Sequence, residues 1–314
     1  STRGREMPLA PEYQAMFAAL GDSPGPRITE MTPAQAREMY RLARPANPDI
    51  TVGAVADRKI PGPAADIPLR IYTPEGEGPF PVFVYLHGGG WVIGDLDTAD
   101  AVCRDICRTA GCVVVSVDYR LAPEHAFPAA VDDCYAATVW ASAHTAEVGG
   151  NGRLAVGGES VGGNLAAVIC QMARDLAGPE ISFQLLLYPV TDCDLQRDCY
   201  QEDGGGLYLD GAIMTWFWNF YCPDPDKRLD PRASPLRAGD LSGLPPALVI
   251  TAEFDTLRVE GREYAEALRS AHVPAEWLHC EGLIHDFLAT AALFEVSRPP
   301  FEHACLALRT ALKG

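Results

Sequence analysis

No apolar run in this 314-residue chain approaches the roughly 18 to 20 residues that a membrane-spanning helix requires. The opening stretch, STRGREMPLAPEYQ, lacks the apolar core of a secretion signal. Positive charge is in deficit: 25 Lys and Arg face 42 Asp and Glu, for a formal net charge of -17. So acidic a surface repels phosphate backbones and anionic lipid, which excludes nucleic acid and membrane insertion and reads as a device for solubility. No internal repeat and no low-complexity segment is present. His and carboxylate residues show no metal-ligand spacing, so neither a metal site nor a metal-dependent hydrolase is expected. The ten cysteines lack the short regular spacing of a disulfide framework, and Cys112, Cys134 and Cys170 sit inside apolar patterns. They read as free core thiols of a cytoplasmic protein. Cys103 and Cys107 stand four residues apart, but no neighbouring His and Cys set completes a zinc shell.

What the chain does have is the composition of a globular protein with a well-developed core, 48% hydrophobic and 21% charged. Residues 8–20 and 32–42 are helical in pattern, each preceded or capped by Pro, Ser or Thr. Residues 50–60 and 67–72 read as two strands around the turn-rich PGPAAD. From Pro81 onward, short apolar runs alternate with helical stretches, the pattern of parallel strands buried on both faces. The runs are VFVYL, CVVVSV, LAVGG, QLLLYP and ALVITAE, followed by the strand-like AEWLHC. Helical patterns at residues 98–110, 127–143, 161–176 and 257–271 supply the right-handed crossovers. The expected architecture is α/β, an open and mostly parallel sheet flanked by helices, with its chemistry outside the carboxyl ends of the strands. Residues 1–48 are assigned to an N-terminal helical cap segment, 49–190 and 234–314 to the core, and 191–233 to a cap insertion. That insertion carries Gly204 to Gly206 and the aromatic cluster Trp216, Phe217, Trp218, Phe220 and Tyr221, which either form a lid or only hold the insertion to the core.

The strongest local signal is Gly158-Glu159-Ser160-Val161-Gly162, after the strand run LAV and before the helix-forming NLAAVICQMARDL. A G-x-S-x-G turn between strand and helix thrusts the serine hydroxyl out at its apex, and small residues on either side avoid collision there. The run His87-Gly88-Gly89-Gly90 closes VFVYL, and its backbone amides are suited to an oxyanion hole together with that of Val161. His87 itself reads as a support for that loop. A serine hydroxyl needs a base, and the base needs an orienting acid. Asp255 follows ALVITAEF and His285 lies in EGLIHDF, in the order Ser, Asp, His. His272 at a helix end and His279 within a strand fit structure better. Glu253, Asp286 and Asp192 compete with Asp255, whose structural alternative is to cap the helix starting at Thr256. Arg120 and Glu124 in YRLAPEH are expected to pair across a buried turn. Trp91 and Tyr188 are candidates to line the acyl pocket.

Together the blocks HGGGWVIGDLDT, VDYRLAPEHAFPAAVDD, GGESVGGNLAA, TAEFDTLRVEG and IHDF resemble the bacterial hormone-sensitive lipase family, family IV of the α/β-hydrolase esterases. The resemblance runs from about Ile67 to His285. It implies an α/β-hydrolase fold with a helical cap and hydrolysis of short- to medium-chain carboxylic esters without a cofactor. Carried over residue by residue, it makes Ser160 the nucleophile, Asp255 the acid, His285 the base, and Gly88 and Gly89 oxyanion donors. A small-molecule ester is then the partner, and a homodimer is compatible with the family. Two departures are notable: Glu159 stands where the family often has Asp, and Val161 where it has Ala. The bulk of Val161 is expected to narrow the acyl or alcohol pocket. The rival readings are an amidase or lactonase on the same fold and a non-catalytic small-molecule receptor, the latter disfavoured because all three triad residues are present.

Overall fold

The computed structural model describes residues 9–20, 25–201 and 208–313. Gly204 to Gly206 lie outside the described residues. At the centre is one eight-stranded sheet in the order β1-β2-β4-β3-β5-β6-β7-β8. Its strands are β1 (Ala54–Ile60), β2 (Ile67–Thr73), β3 (Phe80–Leu86), β4 (Val113–Val117), β5 (Gly150–Glu159), β6 (Phe183–Leu187), β7 (Ala247–Phe254) and β8 (Ala275–Ile284). β1 pairs antiparallel with β2, Ile60 opposite Ile67, and β2 pairs antiparallel with β4. Every later pairing is parallel. The chain is thus a mostly parallel α/β sheet flanked by helices, as its alternation of apolar runs and helices predicts.

Burial follows position in the sheet. β4 and β6 are buried at every residue, because helices cover both faces. β1 is exposed except at Ile60, and its Asp57, Arg58 and Lys59 protect the open edge from pairing with another chain. This strand starts at Ala54, later than the apolar pattern from Ile50 suggests. The covering helices are α3 (Leu96–Ile106), α4 (Ala129–Ala143), α5 (Val161–Asp175), α8 (Arg258–Ser270) and α9 (Arg298–Ala311). α5 starts directly behind the G-x-S-x-G turn and buries Leu165, Val168 and Ile169, each worth about 1.5–3 kcal/mol of transfer free energy.

The N-terminal helices part company. α1 (Pro11–Leu20) packs beside the end of β8: the amide of Ala10 donates to the carbonyl of Gly282, and the Tyr13 hydroxyl lies 2.7 Å from both Thr290 Oγ1 and Ser297 Oγ. It lines no part of the cleft described below. α2 (Pro33–Ala43), capped by Thr32 and opened by Pro33, does reach it. In the insertion, α6 (Asp198–Gln201) and α7 (Gly211–Tyr221) are helical, and the Asp210 side chain caps α7 through the amide of Ile213.

The expected Arg120–Glu124 pair is not formed. Arg120 instead grips Asp133 on α4 through Nε and Nη2, while Glu124 reaches out to Arg37 on α2. Glu124 is half exposed, and only Asp133 supplies a buried carboxylate to match the fork of the guanidinium.

Candidate active site

All four chemistry-bearing segments begin at the residue after a strand ends: His87 after β3, Ser160 after β5, Asp255 after β7 and His285 after β8. Parallel strands place these ends at one edge of the sheet, and β5 lies between β3 and β6. The side chains of Ser160, Asp255 and His285 are therefore gathered although 125 residues separate the serine from the histidine.

Ser160 adopts φ 54 and ψ -116, a conformation that costs a non-glycine residue of order 1–3 kcal/mol and persists only where its surroundings impose it. They do: the Ser160 amide donates to the carbonyl of Leu187 at 2.8 Å, and its carbonyl accepts from the amides of Asn164 and Val190. The flanking glycines are required by space. A Cβ at Gly158 would stand 2.1 Å from the Leu86 carbonyl oxygen, and one at Gly162 only 1.8 Å from the same atom.

His285 Nε2 lies 3.1 Å from Ser160 Oγ, and its Nδ1 lies 2.8 Å from Asp255 Oδ2. With the carboxylate accepting, the ring proton sits on Nδ1 and Nε2 is left to accept from the serine hydroxyl. The other Asp255 oxygen accepts from the Leu257 amide at 2.8 Å. That bond closes the turn ahead of α8, which starts at Arg258 with Leu257 at its N-cap and no side-chain cap, so Asp255 does not cap the helix. Burial works against a charged imidazole, but the charge and hydrogen bond of Asp255 outweigh it, and the pKa of His285 lies above the ordinary imidazole value. His272, with φ 63, follows the end of α8, and His279 Nδ1 lies 2.9 Å from Thr251 Oγ1 within the sheet, so neither approaches Ser160. Of the competing acids, Asp192 is taken by Arg197 and Arg237, and Glu253 accepts from the amide of Gly282.

The loop after β3 is shaped for backbone donors. Gly89 has φ +113, and a Cβ there would stand 2.2 Å from the Ile93 carbonyl oxygen. His87 supports the loop from behind: its Nδ1 lies 2.6 Å from the Gly88 carbonyl, its ring stacks on Tyr119 at 4.3 Å, and its own carbonyl accepts from the Tyr119 hydroxyl. Burial pushes the His87 pKa down, which keeps the ring neutral. Val161 is the first residue of α5, so its amide has no partner within the helix and sits at the positive end of the helix dipole.

These groups open into a cleft of about 430 Å³. Gly88, Gly89, Ser160 and His285 form its floor, Ile28, Met39 and Tyr40 one wall, and Ile213, Met214 and Phe217 another. Phe217 lies over the glycine loop, where a Cβ at Gly90 would meet its ring at 2.0 Å. The aromatic cluster of α7 divides its labour. Phe217 faces the cleft, while Trp218 and Tyr221 pack on fully buried Trp91, with Tyr221 stacked at 4.0 Å. Trp91 is therefore a packing residue and not part of the pocket wall. Tyr188 does not line it either: its ring edge abuts His285 at 4.8 Å and its hydroxyl donates to Glu159 Oε2 at 2.9 Å. The side chain of Val161 is fully buried and outside the cleft wall, which removes the basis for a pocket narrowed by its bulk.

One group of residues carried no signal in the sequence. Arg44, just past α2, reaches between Glu159 and Asp286 with 3.1 Å contacts to each, and the Tyr40 hydroxyl is bonded to it. Glu159 is 115 residues away along the chain, and no local pattern links the two.

An eight-stranded, mostly parallel sheet with serine, histidine and aspartate in hydrogen-bonded line at its carboxyl edge is the architecture of an α/β hydrolase. A family model described as alpha/beta hydrolase fold matches residues 83–289, and the chain belongs to that family, in its hormone-sensitive-lipase-type branch. It is 52% identical over 241 residues to the carboxylic ester hydrolase LipN of Mycobacterium tuberculosis, a match covering 74% of this chain and 64% of the relative's length. It is 42% identical to the esterase LipI of the same organism, covering 86% of this chain and 85% of the other. Among solved structures, a thermostable esterase from Pseudomonas putida superposes with a TM-score of 0.94 at 38% identity, covering 99% of this chain and 100% of that one.

Proposed function

We propose that the protein is a carboxylesterase acting on short- to medium-chain esters, with Ser160 as nucleophile, His285 as general base and acid, and Asp255 orienting the histidine. The observation that carries this reading is the unbroken line Asp255 Oδ2, His285 Nδ1, His285 Nε2, Ser160 Oγ, with steps of 2.8 and 3.1 Å, ending in a mostly apolar cleft. Membership of a family whose relatives are named esterases supports the same bond type.

In the first half-reaction Ser160 Oγ attacks the ester carbonyl and its proton passes to His285 Nε2. The carbonyl π electrons move onto oxygen, where the amides of Gly88, Gly89 and Val161 meet the developing anion, each such donor being worth roughly 3–4 kcal/mol. Collapse of the tetrahedral species breaks the C–O bond, His285 protonates the departing alcohol, and an acyl-enzyme remains. Water then attacks the acyl carbon with His285 again taking the proton, and release of the acid restores Ser160. The segments from Pro26 to Tyr40 and from Tyr208 to Phe217 act as a cap over this reaction, joined across the cleft by the ion pair of Arg27 with Asp210. Cys103, Cys112, Cys134 and Cys170 are buried free thiols, which suits a reducing compartment.

Hydrolysis of p-nitrophenyl esters from acetyl to palmitoyl, by the protein and its Ser160→Ala variant, tests the reading. Turnover of the shorter esters with a loss of several orders of magnitude in the variant is expected. Matched ester and amide substrates separate esterase from amidase. Faster cleavage of the amide, or no acyl transfer to Ser160, overturns the assignment.

A further inference from the structure

We propose that Arg44 is a positioning residue for the reaction: by bridging Glu159 and Asp286 it ties the cap to the residues adjoining both nucleophile and base, so that the site is assembled only while α2 is docked. This rests on the serine-hydrolase reading above.

The geometry is specific. Arg44 Nη1 donates to Glu159 Oε1 and Nη2 to Asp286 Oδ1, both at 3.1 Å. Glu159 immediately precedes Ser160, and Asp286 immediately follows His285. All three side chains are buried or nearly so, at 10% exposure for Arg44, 1% for Glu159 and 12% for Asp286. A fork with two separate nitrogens suits this bridge, whereas a lysine offers one point of charge. Glu159 is fixed a second time by the Tyr188 hydroxyl, and it also underlies the glycine loop, since a Cβ at Gly88 would stand 3.1 Å from Glu159 Cγ. Asp286 is held at φ 68, a left-handed turn that starts the segment after His285. One guanidinium from the cap thereby restrains the serine turn, the oxyanion loop and the histidine loop together. Arg44 does not line the cleft, so it acts through these neighbours and not on the substrate.

Arg44 is the positive charge that the structure places between these two carboxyls. Burial disfavours the charged form of Glu159, but Arg44 and the Tyr188 hydroxyl outweigh it and hold the carboxyl well below the usual range. Burial raises Asp286 and the charge and hydrogen bond of Glu159 add to the effect, while Arg44 opposes it, so Asp286 takes up a proton more readily than an ordinary carboxylate. With Asp286 protonated the cluster is neutral, one guanidinium against one carboxylate, and with Asp286 ionised Arg44 still cancels one of the two negative charges. The groups facing it are Tyr40 from α2, Tyr85 from β3, Tyr188 after β6, the half-exposed Tyr208 from the insertion and the His285–Asp255 pair; burial raises the pKa values of Tyr40, Tyr85 and Tyr188, so these three hydroxyls stay neutral. Loss of Arg44 leaves a net negative charge beside His285, which favours imidazolium.

The test is a comparison of Arg44→Met, Arg44→Lys and Arg44→Met/Glu159→Gln/Asp286→Asn with the unaltered protein. It measures kcat and KM on p-nitrophenyl butyrate, the pH profile of kcat/KM, the melting temperature and the rate of Ser160 labelling by a fluorophosphonate. Arg44→Met is expected to lose roughly 10²-fold in kcat, the scale of a displacement of about 1 Å in a reacting group, with little change in KM. Its acid limb should move to higher pH. Arg44→Lys should keep the acid limb and recover only part of kcat, and it serves alone if the methionine variant does not fold. The triple variant should restore the acid limb but not kcat. A folded Arg44→Met with unchanged kcat and labelling rate, or a loss confined to KM, overturns the proposal. If the unaltered protein labels at Ser160 but cleaves no ester, the esterase reading fails while labelling rates still decide the role of Arg44. If it does not label at all, both fail.

Discussion

Asp255 Oδ2 accepts from His285 Nδ1 at 2.8 Å while Asp255 Oδ1 accepts from the Leu257 amide at the same distance, so one buried carboxylate closes the turn ahead of α8 and sets a tautomer. Asn at this position can keep the bond to Leu257, because its side-chain oxygen accepts from a backbone amide in the same local turn. Its NH2 group would then face Nδ1 and force the ring proton onto Nε2, where it opposes deprotonation of Ser160. Asp255→Asn is expected to lose about 10⁴-fold in kcat, the scale seen when a triad histidine takes the wrong tautomer, with a nearly unchanged melting temperature. A large fall in melting temperature without loss of kcat would assign Asp255 to structure alone.

The raised pKa of His285 sets the acid limb of the reaction. The imidazole must be neutral to take the serine proton, so activity is lost as pH falls through its pKa. Because Asp255 stabilises the imidazolium, that loss should begin above the ordinary imidazole value of about 6.5. A pH profile of kcat/KM on a substrate without ionisable groups measures it, and a midpoint below 6 would contradict the electrostatics of the site.

Selectivity for acyl length should follow Phe217 and not Val161. Phe217→Ala removes the ring over the glycine loop and should shift the preferred p-nitrophenyl ester to a longer chain. Val161→Ala removes two buried methyl groups away from the cleft, so the chain-length profile should stay and the protein should be destabilised by about 1–3 kcal/mol. A broadened profile in Val161→Ala would restore the expectation drawn from sequence.

Glu260 is fully buried where α8 meets the start of the insertion, accepting from the amides of Thr191 and Asp192 and from the Tyr200 hydroxyl. Burial outweighs these bonds and pushes its pKa up to about 8. An unfolded glutamate ionises near pH 4.3. Between these values the folded chain holds a proton that the unfolded chain has released, so this group's contribution to stability falls as pH rises across that window. Glu260→Gln should flatten the decline in melting temperature between pH 5 and 8. An unchanged slope would place Glu260 as a carboxylate already ionised in the fold.

Local chemistry was legible in the chain. The G-x-S-x-G turn, the glycine loop after VFVYL and the strand-terminal Asp255 and His285 could be read because each depends on backbone conformation within a few residues: a tight strand-to-helix turn, amides without side-chain obstruction, a position just past a strand end. Parallel strands then bring such positions to one edge of the sheet, so chain order and strand ends together anticipated which side chains meet in the candidate site. The apolar runs likewise gave the sheet, since strands buried on both faces must be apolar throughout.

What only the tertiary structure decided are the contacts between segments distant in the chain. Nothing near Arg44 announces Glu159 and Asp286, and nothing near Arg120 announces Asp133, because an ion pair is chosen by which carboxylate is left buried within reach of the guanidinium. The same holds for the two faces of α7. Its aromatics are alike in the sequence, yet Phe217 meets the cleft while Tyr221 stacks on Trp91, a division set by how the helix lies on the core. Backbone conformation is a local property and survives in the sequence. Partner choice is a property of packing, and it exists only once the layers have closed.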